Sequence, residues 1–155
     1  MKIETGQNAP EFTLLDSDKN TVSLADLKGS NVLLLFFPLA FTSTCTAELC
    51  STRDDISHYN NANAKVFGIS VDSRFVLGRY KEDQKLNFPL LSDFNKEAST
   101  AYGCLYEDFI GMKGVSKRSA FIIDKEGIVR YAEVLEKATD LPNFDTIKQV
   151  LAGLN

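Results

Sequence analysis

The sequence predicts an α/β fold, a three-layer sandwich with a mixed sheet between helices, on three observations. Strand-length apolar runs alternate with segments of helical spacing; the run Val32 to Phe37 is apolar at every residue; and a strand, turn, strand pattern follows from Ser119. Alternation implies parallel strands joined by helical crossovers, and the late hairpin adds antiparallel partners. At 155 residues the chain suits one domain, expected over residues 1–155.

Each element has its own signal. Phe12 to Leu15 and Thr21 to Ser23 flank the turn-rich Asp16-Ser17-Asp18-Lys19-Asn20, which predicts an N-terminal hairpin. Val32 to Phe37, closed by Pro38, reads as a central strand covered on both faces. After a loop at Leu39 to Thr44, polar residues at helical intervals around Ala47, Leu49 and Ile56 predict a helix from about Cys45 to Ala62. Lys65 to Val71 is the next strand. Ser73 is placed to cap a helix through Gln84 with Phe75, Val76, Leu77 and Tyr80 as its apolar stripe. Phe88 to Leu91 is short and extended, and Asn95 is placed to cap a brief helix ending near Tyr102-Gly103. Ser119 to Ile123, the turn Asp124 to Gly127 and Ile128 to Val134 form the hairpin, and a last helix covers Asn143 to Leu154.

Composition narrows the function classes. The formal net charge is -4, with 17 Lys plus Arg against 21 Asp plus Glu, the wrong sign for a phosphate-backbone binder. Nucleic acid is not expected as a partner. The longest apolar run has six residues, against roughly 20 for a bilayer span, so no membrane helix is expected. Met1 to Pro10 lacks the apolar segment of a secretory signal, which makes the cytoplasm the expected compartment. In a reducing compartment three cysteines point to transient, catalytic thiol chemistry rather than structural disulfides.

The stretch from Phe36 to Cys50 carries the chemistry. It sets Cys45 just past the carboxyl end of a buried strand and within the first turn of a helix. In open α/β sheets that edge binds ligands. Helix-start amides and the positive end of the macrodipole favour a thiolate over a thiol. Glu48, three residues on, has the spacing of a capping-box carboxylate that folds back onto the start of the helix. His58, the only histidine, lies 13 residues along the same predicted helix, about 20 Å away at 1.5 Å per residue. A Cys/His pair is therefore not expected, and activation falls to positive charge, for which Arg118, just ahead of the strand Ser119 to Ile123, is the candidate.

Here the residues resemble a known family. Phe37-Pro38 to Cys45, with Thr42 three residues before the cysteine and Glu48 three after, is similar to the peroxiredoxin signature. Arg118 followed by Ser119-Ala120-Phe121-Ile122-Ile123-Asp124 resembles that family's second arginine segment. Gly6 to Phe12 and Phe88 to Asp93 extend the resemblance over nearly the whole chain, with the peroxiredoxin Q (bacterioferritin comigratory) and alkyl hydroperoxide reductase E branches nearest. The resemblance implies a thioredoxin-like fold. It also implies a thiol-dependent peroxidase that needs no cofactor or metal and reduces hydrogen peroxide and alkyl hydroperoxides through a sulfenic acid at Cys45.

In that reading Thr42, the Cys45 amide and Arg118 supply donors to the leaving oxygen, and Pro38, without an N–H, shapes the loop and shields the sulfur. Cys50 is the candidate resolving thiol, giving an intramolecular disulfide recycled by thioredoxin or a similar reductant. Five helical positions span about 7.5 Å of rise against a Cα limit of roughly 6.8 Å for a disulfide, so the first turns must unwind. Two departures stand out: Ser43-Thr44 replaces a Pro-Gly common in peroxiredoxin Q, and no cysteine follows Cys104.

Other readings stay open at this level. Cys50 as a packed helix residue leaves a one-cysteine enzyme reduced by external thiols. Cys104 reads as a core cysteine, with a second resolving role as its alternative. A thiol-disulfide oxidoreductase fits poorly, since four residues rather than two separate Cys45 from Cys50. A metal carrier would draw on Cys45, Cys50, Cys104 or His58. Phe41, Phe75 and Phe94 read as core or interface packing, and the chain is expected as a monomer or homodimer.

Overall fold

The computed structural model describes residues 2–154. Among them the strands are β1 (Thr13–Asp16), β2 (Thr21–Ser23), β3 (Asn31–Phe36), β4 (Ala64–Ser70), β5 (Leu90–Ser92), β6 (Ser119–Ile123) and β7 (Val129–Val134). The helices are α1 (Ser43–Asp54), α2 (Ile56–Asn61), α3 (Arg74–Gln84), α4 (Glu97–Ala101) and α5 (Phe144–Gly153), with a 3-10 turn at Leu24–Leu27. The strands form one sheet in the order β2-β1-β5-β4-β3-β6-β7. It is mixed: β4 runs parallel to β3 and β5, while β6 is antiparallel to β3 and β7.

Alternating side chains divide the interior. Leu33, Leu35, Ala120 and Ile122 face the layer formed by α1, α2, α3 and α5, through Leu49, Tyr59, Leu77, Tyr80, Ile147 and Leu151. Val32, Leu34, Phe36, Phe121 and Ile123 face the other side. There the cover is lighter: Ala98 of α4, Leu24 of the 3-10 turn and the N-terminal residues Ile3, Ala9 and Phe12. Every residue of β3 is buried, and each such Leu or Phe contributes roughly 1.5–3 kcal/mol by leaving water.

Side chains close the turns. The Asp16 carboxylate accepts from the amides of Asp18 and Asn20 in the first hairpin, and Asp124 accepts from Glu126 and Ile128 in the second. Ser73 caps α3 by accepting from the Val76 amide at 3.2 Å.

Several expectations are corrected. The predicted helix over residues 45–62 starts earlier, at Ser43, and is broken at Asp55, so His58 lies on α2 and not on the helix of Cys45. The apolar stripe of α3 is Leu77 and Tyr80, whereas Phe75 is 71% exposed and Val76 is exposed as well. Both stand on the solvent side of the first turn of α3, outside the core. Asn95 does not cap α4; Asp93 does, taking the Ala98 and Ser99 amides at 3.0 and 2.7 Å. A carboxylate has two oxygens and satisfies two helix-start amides at once. Among the described residues no helix is long and apolar enough to cross a membrane.

Candidate active site

Strand register assembles the site. Phe36 of β3 pairs with Ser119 of β6, so Arg118 sits beside the point where the chain leaves β3 for Pro38 and the loop to α1. The Asp72 carboxylate ties that loop down by accepting from the Ala40 amide at 2.8 Å and the Ser70 hydroxyl at 2.7 Å. Phe41 then takes a left-handed conformation, φ 67°, with its ring against Tyr80 at 5.0 Å. Such backbone costs on the order of 1 kcal/mol or more outside glycine, and it turns the chain sharply into Thr42, the N-cap of α1.

Cys45 is the third residue of α1 and fully buried. The Thr42 side chain caps no amide of that first turn, so the helix start keeps donors directed outward near the sulfur. Arg118 Nη2 donates to Cys45 Sγ at 3.1 Å. The same guanidinium donates from Nη1 to Glu48 Oε1 at 2.8 Å and from Nε and Nη2 to the Ala138 carbonyl at 3.2 and 2.9 Å. Burial works against its charge, yet Glu48 and Cys45 hold its pKa above the ordinary arginine value. A cation fixed by four bonds cannot swing out to water, and it holds its charge in hydrogen-bond contact with the sulfur.

Over this buried group lies a cavity of about 110 Å³ lined by Pro38, Thr42, Ser43, Thr44, Phe109, Arg118, Ala138 and Thr139. It holds a few waters' worth of volume, enough for a peroxide group. Pro38, Thr42 and Arg118 thus share one lining, with Cys45 beneath Arg118. Thr42 Oγ1 donates to the Leu39 carbonyl at 3.0 Å. Its hydrogen is therefore committed, and it offers lone pairs to the cavity where a donor was expected.

Glu48 does not act as a capping carboxylate. The N-cap is Thr42, which makes Cys45 itself the residue at the capping-box spacing, and Glu48 turns inward to Arg118. Burial pushes its carboxyl up to about 7, against the pull of Arg118 and with a further push from Glu133. The sequence reading also missed Asp72 and the Ala138 carbonyl. An acidic residue just past a strand end was the available signal for Asp72; a backbone carbonyl leaves none.

The other cysteines separate. Cys50 is half-buried on the same helix as Cys45, its thiol donating to Gln84 Oε1 at 3.5 Å. Cys104 packs on the opposite face of the sheet, and burial pushes its thiol up to about 12. A second resolving role for Cys104 is at odds with this placement, because the sheet stands between it and Cys45. His58 is exposed, with its ring near Tyr59 and no part in the site. Among the described residues no group of three or more His, Cys, Asp or Glu is placed to hold a metal.

Comparison with known proteins bears on this geometry. The AhpC/TSA family matches residues 5–132. The chain is 39% identical to a chloroplastic 2-cysteine peroxiredoxin of Chattonella marina over 145 residues, covering 86% of this chain and 72% of that one. It is 38% identical to alkyl hydroperoxide reductase E of Mycobacterium tuberculosis over 135 residues, 85% and 86% of the two chains. The crystal structure of peroxidoxin BcpB from Mycobacterium tuberculosis superposes with a TM-score of 0.88 at 27% identity, covering 99% of each chain.

Proposed function

Since the chain belongs to the AhpC/TSA family and is a thiol-dependent peroxidase of thioredoxin-like fold, we propose that Cys45 is the sulfur that attacks the peroxide. The observation carrying this is the 3.1 Å contact from Arg118 Nη2 to the fully buried Cys45 Sγ. The thiolate attacks the terminal oxygen in line, the O–O bond breaks, and hydroxyl passes to sulfur. Negative charge develops on the leaving oxygen, where Arg118 and the first-turn amides are preorganised to receive it. Thr42 holds the substrate by accepting its O–H. Pro38 walls the cavity without presenting a donor.

Cys50 then resolves the sulfenic acid. Its thiolate attacks Cys45 sulfur, hydroxide leaves as water after taking a proton, and an intramolecular disulfide forms. Thioredoxin or a similar dithiol returns both cysteines to thiols. Hydrogen peroxide and alkyl hydroperoxides are the proposed substrates, and the cytoplasm the proposed compartment. The active form is a monomer or a homodimer, with exposed Phe41, Phe75 and Phe94 as the apolar surface open to a second copy. Peroxide-dependent oxidation of a thioredoxin system tests the reading: turnover is lost in Cys45→Ser, and full turnover in that variant refutes it.

The contact between Cys50 and Gln84 favours a second reading, in which Cys50 stays packed and external thiols reduce Cys45 directly. Turnover with small thiols that persists in Cys50→Ser supports that version.

A further inference from the structure

Arg118 is shared between two acids. Its guanidinium meets Cys45 Sγ at 3.1 Å and Glu48 Oε1 at 2.8 Å, and all three side chains are 1% exposed or less. One cation thus faces two groups that can each carry a negative charge. With both ionised, a net charge would sit among buried side chains; with neither, the guanidinium would be the unpaired charge. The least costly state has one anion beside one cation.

Hydrogen bonding indicates which acid is neutral in the reduced enzyme. Glu48 Oε2 is buried with no hydrogen-bond partner, and a charge at an unpartnered buried oxygen costs far more than a neutral carboxyl there. The charged and titratable groups around it leave Arg118 as the one favouring ionisation. Glu133 on β7 adds negative charge, and Tyr59 on α2 and Tyr80 on α3 are phenols that burial keeps neutral. The direction of the Glu48 shift agrees.

We propose that Glu48 keeps its proton while Cys45 is a thiolate and gives it up when Cys45 is oxidised, so that Arg118 exchanges one anionic partner for another. This deepens the peroxidase reading and rests on Cys45 being the attacking sulfur. The step balances. The thiolate takes OH from ROOH and becomes a sulfenic acid, the leaving RO⁻ gains one proton to become ROH, and Glu48 loses one. The site holds thiolate, guanidinium and carboxylic acid before the step, and sulfenic acid, guanidinium and carboxylate after it. Its net charge is zero throughout. Glu48 acts through Arg118 and is a positioning residue.

The test uses the Cys50→Ser protein at about pH 6, in which sulfenic acid accumulates, treated with one equivalent of hydrogen peroxide. Intact mass with peptide mapping is read beside the infrared difference spectrum. The proposal expects a gain of about 16 Da at Cys45 together with loss of the C=O stretch of an un-ionised carboxyl, a loss that disappears when Glu48→Gln is added. A mass gain with the carboxyl band unchanged overturns it, as does a band loss that persists with Gln at position 48. No mass gain at Cys45 refutes instead the reading on which it rests. If the double variant does not fold, a pH indicator in weak buffer decides with the Cys50→Ser protein. No net proton uptake accompanying the mass gain, from a reduced protein whose ultraviolet absorbance shows Cys45 as thiolate, supports the exchange; one proton drawn per Cys45, or a reduced protein without the thiolate absorbance, overturns it.

Discussion

Replacing Arg118 with Met removes the cation from Cys45, strands Glu48 and takes a preorganised donor from the leaving oxygen. Loss of one such donor costs about 10²–10³ in rate, and stopped-flow oxidation of Cys45 by hydrogen peroxide is expected to slow by at least that factor. Arg118 was legible in the sequence because a thiol without a nearby base needs a permanent cation, and few arginines stand beside a strand end. The role of Glu48 was not. Its spacing suited a cap, and only the antiparallel register that sets Ser119 opposite Phe36 shows that its carboxyl meets a guanidinium 70 residues away. That burial has a pH signature. Glu48 holds its proton up to about 7 in the fold against an ordinary value of 4.5, so the stability due to the bound proton is complete below pH 4.5 and is lost as pH rises through about 7. The effect is on the order of 3 kcal/mol. The urea midpoint of the reduced protein is expected to fall across that window, and Glu48→Gln to flatten the fall.

The proposed disulfide requires helix α1 to come apart at its start. Ser43, Thr44 and Thr46 at that start are weak helix formers, and nearer the helix end Thr52 bonds back to the Glu48 carbonyl at 3.0 Å. What holds the first turns is tertiary: the Arg118 contacts to Cys45 and Glu48 and the hydroxyl pair Thr46–Tyr80 at 2.9 Å. Oxidation of Cys45 removes the anionic sulfur from the Arg118 contact, and the proposed disulfide with Cys50 cannot form on an intact helix. Amide hydrogen exchange over residues 43–52 is therefore expected to rise sharply on oxidation in the native sequence and to stay slow in Cys50→Ser. The break at Asp55 was not legible in the sequence. Polar residues at helical intervals run on through Tyr59, and the backbone at Asp55 departs from the helix, φ -102° and ψ 11°, with its carboxylate held by Lys148 of α5. That partner lies 93 residues away, out of reach of any local pattern.

Across the whole molecule the sheet sorts the cysteines. Its alternation was plain in the sequence, and with it the mixed architecture, since the apolar run of β3 and the two hairpins are local signals. The unequal cover of its two faces was not, because a short N-terminal segment does work that a helix would do elsewhere. Cys104 belongs to that lighter side, with Phe36, Tyr102 and Phe121, while Cys45 and Cys50 belong to the helical side. Cys104→Ser is accordingly expected to keep the peroxidase turnover of the native chain in a coupled thioredoxin assay, and to lower thermal stability by about 1 kcal/mol through the buried hydroxyl it introduces. The most direct measurement is the intact mass of the native chain after one equivalent of hydrogen peroxide, followed by non-reducing peptide mapping. A loss of about 2 Da with residues 45 and 50 linked is the predicted result; Cys45 recovered as a free thiol after the peroxide has been consumed would contradict the account.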